Sequence, residues 1–202
     1  RRREVGRVRG VPDADGARCA LHSLELAVGL TRSGAASALV TGPVSKAQLY
    51  DIGFTHPGQT EFVAERCGIA GANAVMMLAG PSLKVIPLTT HIALKDVPIA
   101  LTKELIIAHA TTAHKAMIRN FDILTPRIAV AGLNPHAGED GNLGQEEILV
   151  MQPAINELRQ EGLDISPPQP ADSLFHEEPR VKYDVVLCPY HDQALVPLKT
   201  LP

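Results

Sequence analysis

The chain has 202 residues, of which 45% are hydrophobic and 20% are charged, and its formal net charge is −3. This composition is typical of a globular protein with a packed core. Because no basic face is evident, nucleic-acid binding is not expected. No apolar run approaches the roughly 20 residues that a membrane helix needs, so we expect no membrane partner.

The cysteines are odd in number and widely spaced. Cys19, Cys67 and Cys188 form no C-x-x-C pair. Scattered thiols favour a reducing compartment over a disulfide scaffold, which predicts a cytoplasmic protein.

The first part of the chain predicts helices with one short strand between them. A helix is expected over 17–32, a buried strand over 38–40, and further helices over 46–51 and 60–66. A Gly- and Pro-rich loop separates the last two.

Strands and helices alternate in the remainder. Strands are expected over 74–79 and 83–88, joined by an antiparallel hairpin turn at 81–82, and again over 128–130 and 185–187. Helices are expected over 102–121 and 146–160, and a stiff Pro-rich connector over 166–170. This alternation predicts an α/β fold with a mostly parallel sheet flanked by helices.

Three histidines each follow an apolar run. His91 follows 85–90, His136 follows 128–135, and His191 follows 185–190. Ligands of open α/β sheets bind at the carboxyl ends of the strands. Three imidazoles delivered there suit Zn, Fe, Co or Ni better than Ca, with a position left open for substrate. The alternative is that they are packed or surface residues.

Two residues beside these histidines have the chemistry to orient an imidazole. Asp192 adjoins His191, and Asn134 lies just before His136. A carboxylate or amide bonded to a ligating ring fixes its orientation. Loop capping is the alternative for both.

Two loop-to-helix junctions have the character of anion sites. Residues 41–46 end in Lys46 but lack the P-loop spacing, and a helix cap by Ser45 is the alternative. Thr60 can offer a hydroxyl to a carboxylate or phosphate, or serve as an N-cap. Lys199 can reach an anionic substrate, or is simply solvated. No G-x-G-x-x-G motif follows a strand, so no dinucleotide-binding residues are assigned.

Four ordered motifs together resemble one family. They are Leu-Asn-Pro-His-Ala-Gly-Glu at 133–139, Tyr-His-Asp-Gln-Ala-Leu-Val-Pro-Leu-Lys at 190–199, Thr-Gly-Pro-Val-Ser-Lys at 41–46 and Gly-Gln-Thr-Glu-Phe at 58–62. They resemble the 4-hydroxythreonine-4-phosphate dehydrogenase (PdxA) family, and the likeness extends from about Pro12 onward.

The resemblance implies specific site residues. The family binds a divalent metal, often zinc, through three histidines that match His91, His136 and His191. Its substrate contacts fall on a His-Thr pair that here is Gln59 and Thr60, and on a lysine that matches Lys199. Gln59 cannot carry a proton charge, so an acid/base role there is not expected. Asp192 is the candidate catalytic base because of its place beside His191, and not because of the resemblance.

The resemblance also implies architecture and partners. It implies an isocitrate-dehydrogenase-like two-domain fold, a homodimer with metal ligands from both subunits, and NAD or NADP as cofactor. Zinc, or magnesium or cobalt, would be the metal, and a small phosphorylated hydroxy-amino acid the substrate, in pyridoxal phosphate synthesis. Family members are longer at both ends, so residues 1–202 are expected to be a central portion with poor activity.

Two alternatives stay open at this stage. One is a sister dehydrogenase that acts on another phosphorylated hydroxy acid or on a cyclic diol carboxylate. The other is a truncated, non-catalytic metal-binding fragment.

Overall fold

The computed structural model describes residues 12–70 and 74–201. The chain divides into two compact units, Arg1–Ala74 and Val75–Pro202. We describe each unit by itself. In the described residues no helix combines the length and the apolar character needed to cross a membrane.

The first unit is helical where the structure describes it. Its helices are α1 (Ala14–Arg32), α2 (Lys46–Asp51) and α3 (Gln59–Arg66). The Asp13 carboxylate accepts a hydrogen bond from the Gly16 N–H at 2.6 Å, which satisfies one free donor of the first turn and sets the start of α1. The helices enclose a small core of Ala17, Leu49, Phe54 and Phe62.

The predicted strand over 38–40 is wrong. These residues form no strand, and the Val40 side chain is 93% exposed. Apolar residues favour extended structure, but a strand exists only when a neighbour completes its hydrogen bonds. The described residues of this unit contain no strand to pair with.

The second unit is built on a five-stranded sheet of order β1-β2-β5-β3-β4. The strands are β1 (Leu78–Ala79), β2 (Lys84–Pro87), β3 (Arg127–Ala131), β4 (Asp164–Gln169) and β5 (Val185–Cys188). Among the strands that the structure describes, only the β1–β2 pair is antiparallel, as the predicted hairpin requires. The predicted α/β fold with a mostly parallel sheet is confirmed, although β1 is shorter than expected.

Helices cover both faces of this sheet. They are α4 (Val97–Ala100), α5 (Lys103–Phe121), α6 (Gln152–Gln160), α7 (Ala171–Leu174), α8 (Glu177–Arg180) and α9 (His191–Thr200). The larger core includes Ile106 and Met117 of α5 and Ile155 of α6, packed on one face. The smaller core includes Leu174 and Ala194 on the other.

The predicted connector over 166–170 is also wrong. Residues 166–169 belong to β4, which pairs with β3 in parallel. A strand at the sheet edge tolerates proline, since a missing N–H need not break a ladder bond. The Ser166 hydroxyl accepts the Val130 N–H at 3.0 Å, beside the register irregularity between Ile128 and Val130.

Candidate metal centre

Three strands bring the candidate histidines to one edge of the sheet. β2, β5 and β3 are parallel neighbours, so their carboxyl ends meet at the same edge. His91 follows β2, His191 follows β5 and begins α9, and His136 follows β3. The strand-end rule therefore predicts the shared edge correctly.

His91 and His191 lie side by side. Their ring centroids are 5.6 Å apart, with the ring planes inclined at 42°. Two imidazoles that share an ion at N–metal distances of about 2.0–2.1 Å have centroids about 5–6 Å apart. The pair is therefore spaced suitably for joint ligation.

The ends of β2 and β5 are hydrogen-bonded to each other just before His91 and His191. The buried Thr89 donates from its hydroxyl to the Pro189 carbonyl at 2.7 Å. The Leu88 N–H donates to the Cys188 carbonyl at 2.7 Å. These bonds continue the β2–β5 pairing up to the histidines. Both rings line a cleft of about 240 Å³, together with Thr90, Ile92, Leu94 and Tyr190.

Asp192 lies against His191. Its Oδ1 atom accepts a hydrogen bond from His191 Nδ1 at 2.7 Å. A ring whose Nδ1 is occupied in this way presents Nε2 to a metal ion.

His136 lies on a strained turn. Four non-glycine residues from His136 to Asp140 have φ between 43° and 53°, and Gly138 has φ 84°. Left-handed backbone is unfavourable by about 1–2 kcal/mol for each non-glycine residue. Such conformations persist where surrounding contacts hold them, and they concentrate at functional sites.

His136 does not join the other two rings within one chain. No group of three His, Cys, Asp or Glu side chains in residues 12–70 and 74–201 is arranged to hold a metal ion. The His136 side chain is exposed. One chain therefore brings the His91 and His191 rings together and holds a third imidazole, that of His136, separate and exposed.

Two residues beside these segments had no role in the sequence analysis. Gln193 donates from Nε2 to the Gly132 carbonyl at 2.8 Å. Glu147 is a buried carboxylate, 4% exposed, that accepts from the Asn134 N–H at 2.7 Å and from the Asn134 side-chain amide at 2.9 Å. Helical spacing offered a signal for Glu147, because it occupies a core position on the stripe that continues through Met151, Ala154, Ile155 and Leu158.

The predicted substrate residues of the first unit lie at the start of α3. Gln59 donates from Nε2 to the Gly42 carbonyl at 3.2 Å, which links the 41–46 and 58–62 motifs. Thr60 is exposed in the first turn of α3, whose N-cap is Gly58, so the alternative N-cap role for Thr60 is wrong. Ser45 is the N-cap of α2 but makes no side-chain capping bond.

Lys199 lies in the last turn of α9, while His191 is in the first. At a rise of about 1.5 Å per residue, the two Cα atoms are separated by about 12 Å along the axis. Lys199 is exposed and stands apart from the histidine pair in its own chain.

Comparison with known proteins shows which family the chain resembles. The family model described as "Pyridoxal phosphate biosynthetic protein PdxA" matches residues 3–202. The chain belongs to the PdxA family. A 4-hydroxythreonine-4-phosphate dehydrogenase of Zymomonas mobilis is 57% identical to this PdxA-family chain over 192 residues, which are 95% of this chain and 57% of that protein.

Solved structures agree with this assignment. The crystal structure of 4-hydroxythreonine-4-phosphate dehydrogenase from Klebsiella pneumoniae matches with a TM-score of 0.89 at 36% identity, covering 96% of this chain and 59% of that one. A terephthalate 1,2-cis-dihydrodiol dehydrogenase from Burkholderia xenovorans matches with a TM-score of 0.69 at 28% identity, covering 96% and 60%. The PdxA-family chain thus spans somewhat more than half the length of these relatives.

Proposed function

We propose that this PdxA-family chain carries the metal-binding part of a nicotinamide-linked dehydrogenase that oxidises and decarboxylates 4-phosphohydroxy-L-threonine for pyridoxal phosphate synthesis. Relatives named for this dehydrogenase activity support the proposal. The observation that carries it is the His91–His191 pair at the carboxyl edge of the sheet, with Asp192 bonded to His191.

The donor set fits a divalent metal of the zinc class. Neutral imidazole nitrogens suit Zn²⁺ or Co²⁺, and Mg²⁺ less well. When bound, the metal would lower the pKa of the substrate hydroxyl, and NAD or NADP would accept the hydride. His91 and His191 would hold the ion through their ring nitrogens.

Asp192 would have two tasks. Oδ1 fixes the His191 ring through the bond to Nδ1. Oδ2 remains as the atom that can take a proton from the substrate hydroxyl. The exposed Asp192 carboxylate oxygen is suited to accept that proton.

The substrate's anionic groups would be held by uncharged and cationic donors. The Gln59 amide and the Thr60 hydroxyl lie at the start of α3, where free backbone N–H groups also favour an anion. The Lys199 ammonium would pair with the phosphate or carboxylate. Gln59 binds and orients only, since an amide does not titrate.

We further propose that His136 of a second subunit completes each metal centre in a homodimer. Exposed apolar side chains flank both histidine segments: Leu94 and Ile99 (83% exposed) beside His91, and Ile148 and Leu149 (66% exposed) beyond the His136 turn. Exposed apolar clusters mark interfaces. In a two-fold dimer, the Leu94 and Ile99 side chains of each subunit can pack against the Ile148 and Leu149 side chains of the other.

Metal binding by the purified chain tests this proposal. We expect Zn²⁺ or Co²⁺ to bind with one ion per chain, and Co²⁺ to show the visible absorption of nitrogen ligation. His91→Ala and His191→Ala should each abolish tight binding. His176→Ala, a change at an exposed histidine outside the three candidate segments, is the matched control. Full binding by the His91 and His191 variants would refute the site.

Substrate choice needs a second assay. NAD⁺ and NADP⁺ reduction should be followed with 4-phosphohydroxy-L-threonine, a phosphorylated threonate and a cyclic cis-dihydrodiol carboxylate. The structural likeness to the dihydrodiol dehydrogenase makes the last a real competitor. Metal binding without turnover on any of them would favour a non-catalytic fragment.

A further inference from the structure

The left-handed turn that carries His136 wraps around a buried carboxylate. Glu147 lies in a π-helical turn, Glu147–Met151, that precedes α6. Its side chain accepts hydrogen bonds from both the backbone and the side-chain amide of Asn134. π-Helical turns are rare and are frequent at functional sites.

Two glycines mark how closely the turn fits around this carboxylate. A Cβ on Gly138 would lie 2.8 Å from Glu147 Oε2, and a Cβ on Gly132 would lie 2.9 Å from Ala137 Cα and 3.3 Å from Glu147 Oε1. A side chain at Gly138 would displace the carboxylate, and one at Gly132 would clash first with the Ala137 backbone of the same turn. The turn and the carboxylate are therefore closely packed against each other.

A glutamate at this buried position is unfavourable for the stability of the core. Both donors from Asn134 are uncharged, and burial of a carboxylate with neutral partners alone is unfavourable. An apolar residue would suit the stripe better for stability alone. The two hydrogen bonds to Glu147 instead hold Asn134 in place where the strained turn begins.

We propose that Glu147 is a positioning residue, whose carboxylate holds Asn134 and so presents His136 for metal binding. This inference rests on the proposed metal centre for its functional consequence. Its structural part, that Glu147 holds the turn, is independent of any metal.

The test compares Glu147→Gln with Glu146→Gln. The first keeps the shape of the side chain but leaves one acceptor oxygen, so it cannot accept from both the Asn134 N–H and the Asn134 side-chain amide. The second removes one charge beside the same amide, since Glu146 accepts from Asn134 Nδ2 at 2.8 Å, while the backbone bond to Glu147 remains. Glu147→Asp, which keeps the charge but is shorter, is a second disruptive variant.

Two readouts separate positioning from general stability. Amide hydrogen exchange reports the protection of Asn134 and of the turn relative to β3, and competition with a chromophoric chelator reports Zn²⁺ affinity. We expect Glu147→Gln to lose protection at Asn134, to keep it in β3, and to weaken Zn²⁺ binding about tenfold or more. Glu146→Gln should stay within about twofold of the parent chain.

Three results would overturn or limit the proposal. Unchanged Asn134 protection and Zn²⁺ affinity in Glu147→Gln would refute it. Loss of β3 protection in both Glu147 variants would also refute it, because Glu147 would then support the core and not the turn. If the parent chain binds no Zn²⁺, the metal centre fails, and hydrogen exchange alone still decides whether Glu147 holds the turn.

Discussion

The Gln193 side chain donates a hydrogen bond from Nε2 to the Gly132 carbonyl at 2.8 Å. Gln193 lies on α9 just past His191, and Gly132 begins the segment that leads to His136. The bond therefore joins the two histidine-bearing segments of one chain. Gln193 Oε1 is buried and has no hydrogen-bond partner among the described residues.

Gln193→Ala tests the importance of this link. The change removes the donor to Gly132 and leaves a carbonyl without its partner, so we expect the free energy of unfolding to fall by about 1 kcal/mol. Urea denaturation measures the loss. Gln152→Ala, a change to an exposed helical pair with Asn156, is the control and should have a smaller effect. An equal loss in both variants would contradict the special role of Gln193.

Asp192→Asn tests the hydrogen bond to His191. The amide cannot stabilise a ligating imidazole as a carboxylate does, so Zn²⁺ affinity should fall about 10- to 100-fold. Turnover of the active enzyme should fall with it if Asp192 also accepts the substrate proton. Normal affinity and normal turnover in this variant would remove Asp192 from the site.

Gly138→Ala tests the close fit around Glu147. Gly138 and Gly162 both have positive φ, 84° and 91°, but only a Cβ at Gly138 would meet other atoms within 4 Å. Gly162→Ala should therefore be destabilising by about 1 kcal/mol from backbone strain alone. Gly138→Ala should lose more, as measured by denaturation, and should weaken Zn²⁺ binding. Equal effects at the two glycines would contradict the close fit.

The Arg127–Asp184 pair predicts part of the acid sensitivity. Arg127 donates from Nε and Nη2 to the carboxylate at 3.1 and 2.9 Å, and its guanidinium holds the pKa of Asp184 below the usual value. A carboxyl group with a lowered folded-state pKa stabilises the protein above its unfolded-state pKa of about 3.9. That stabilisation is lost as the pH falls through the lower, folded-state pKa.

Asp184→Asn tests the contribution of the Arg127–Asp184 pair to the pH dependence of stability. We expect the free energy of unfolding at pH 7 to fall by about 1 kcal/mol, and the decline below about pH 4 to become shallower. The exposed Asp172→Asn is the matched control. If the free energy of unfolding of Asp184→Asn declined below pH 4 as steeply as that of the parent chain, the proposed effect of the Arg127–Asp184 pair would be contradicted.

The regular elements follow closely from the sequence. The sequence predicts α5 to within one residue, because its apolar face repeats at helical spacing and because Thr102 caps it, accepting the Leu105 N–H at 3.2 Å. The shared edge of His91 and His191 follows from two parallel apolar strands. Local patterns thus determine most of the second unit.

The failures have physical causes. The 38–40 segment has the apolar character of a strand, but strand formation depends on a neighbour that local sequence does not reveal. The prolines of 166–170 suggested a connector, yet an edge strand accepts them. The left-handed turn at His136 depends on Glu147, which comes after the turn in the sequence and is not part of its local pattern. It also requires positive φ at four non-glycine residues, which rarely adopt that conformation.

Mixing two inactive variants tests the shared metal centre most directly. A His136→Ala chain retains the His91–His191 pair, and a His91→Ala chain retains His136. If each site takes His136 from the partner subunit, a mixed dimer contains one intact site. A randomly assembled equal mixture should then bind about one ion per four chains, although neither variant binds metal tightly alone. A mixture that binds no more Zn²⁺ than its separate components would contradict the account.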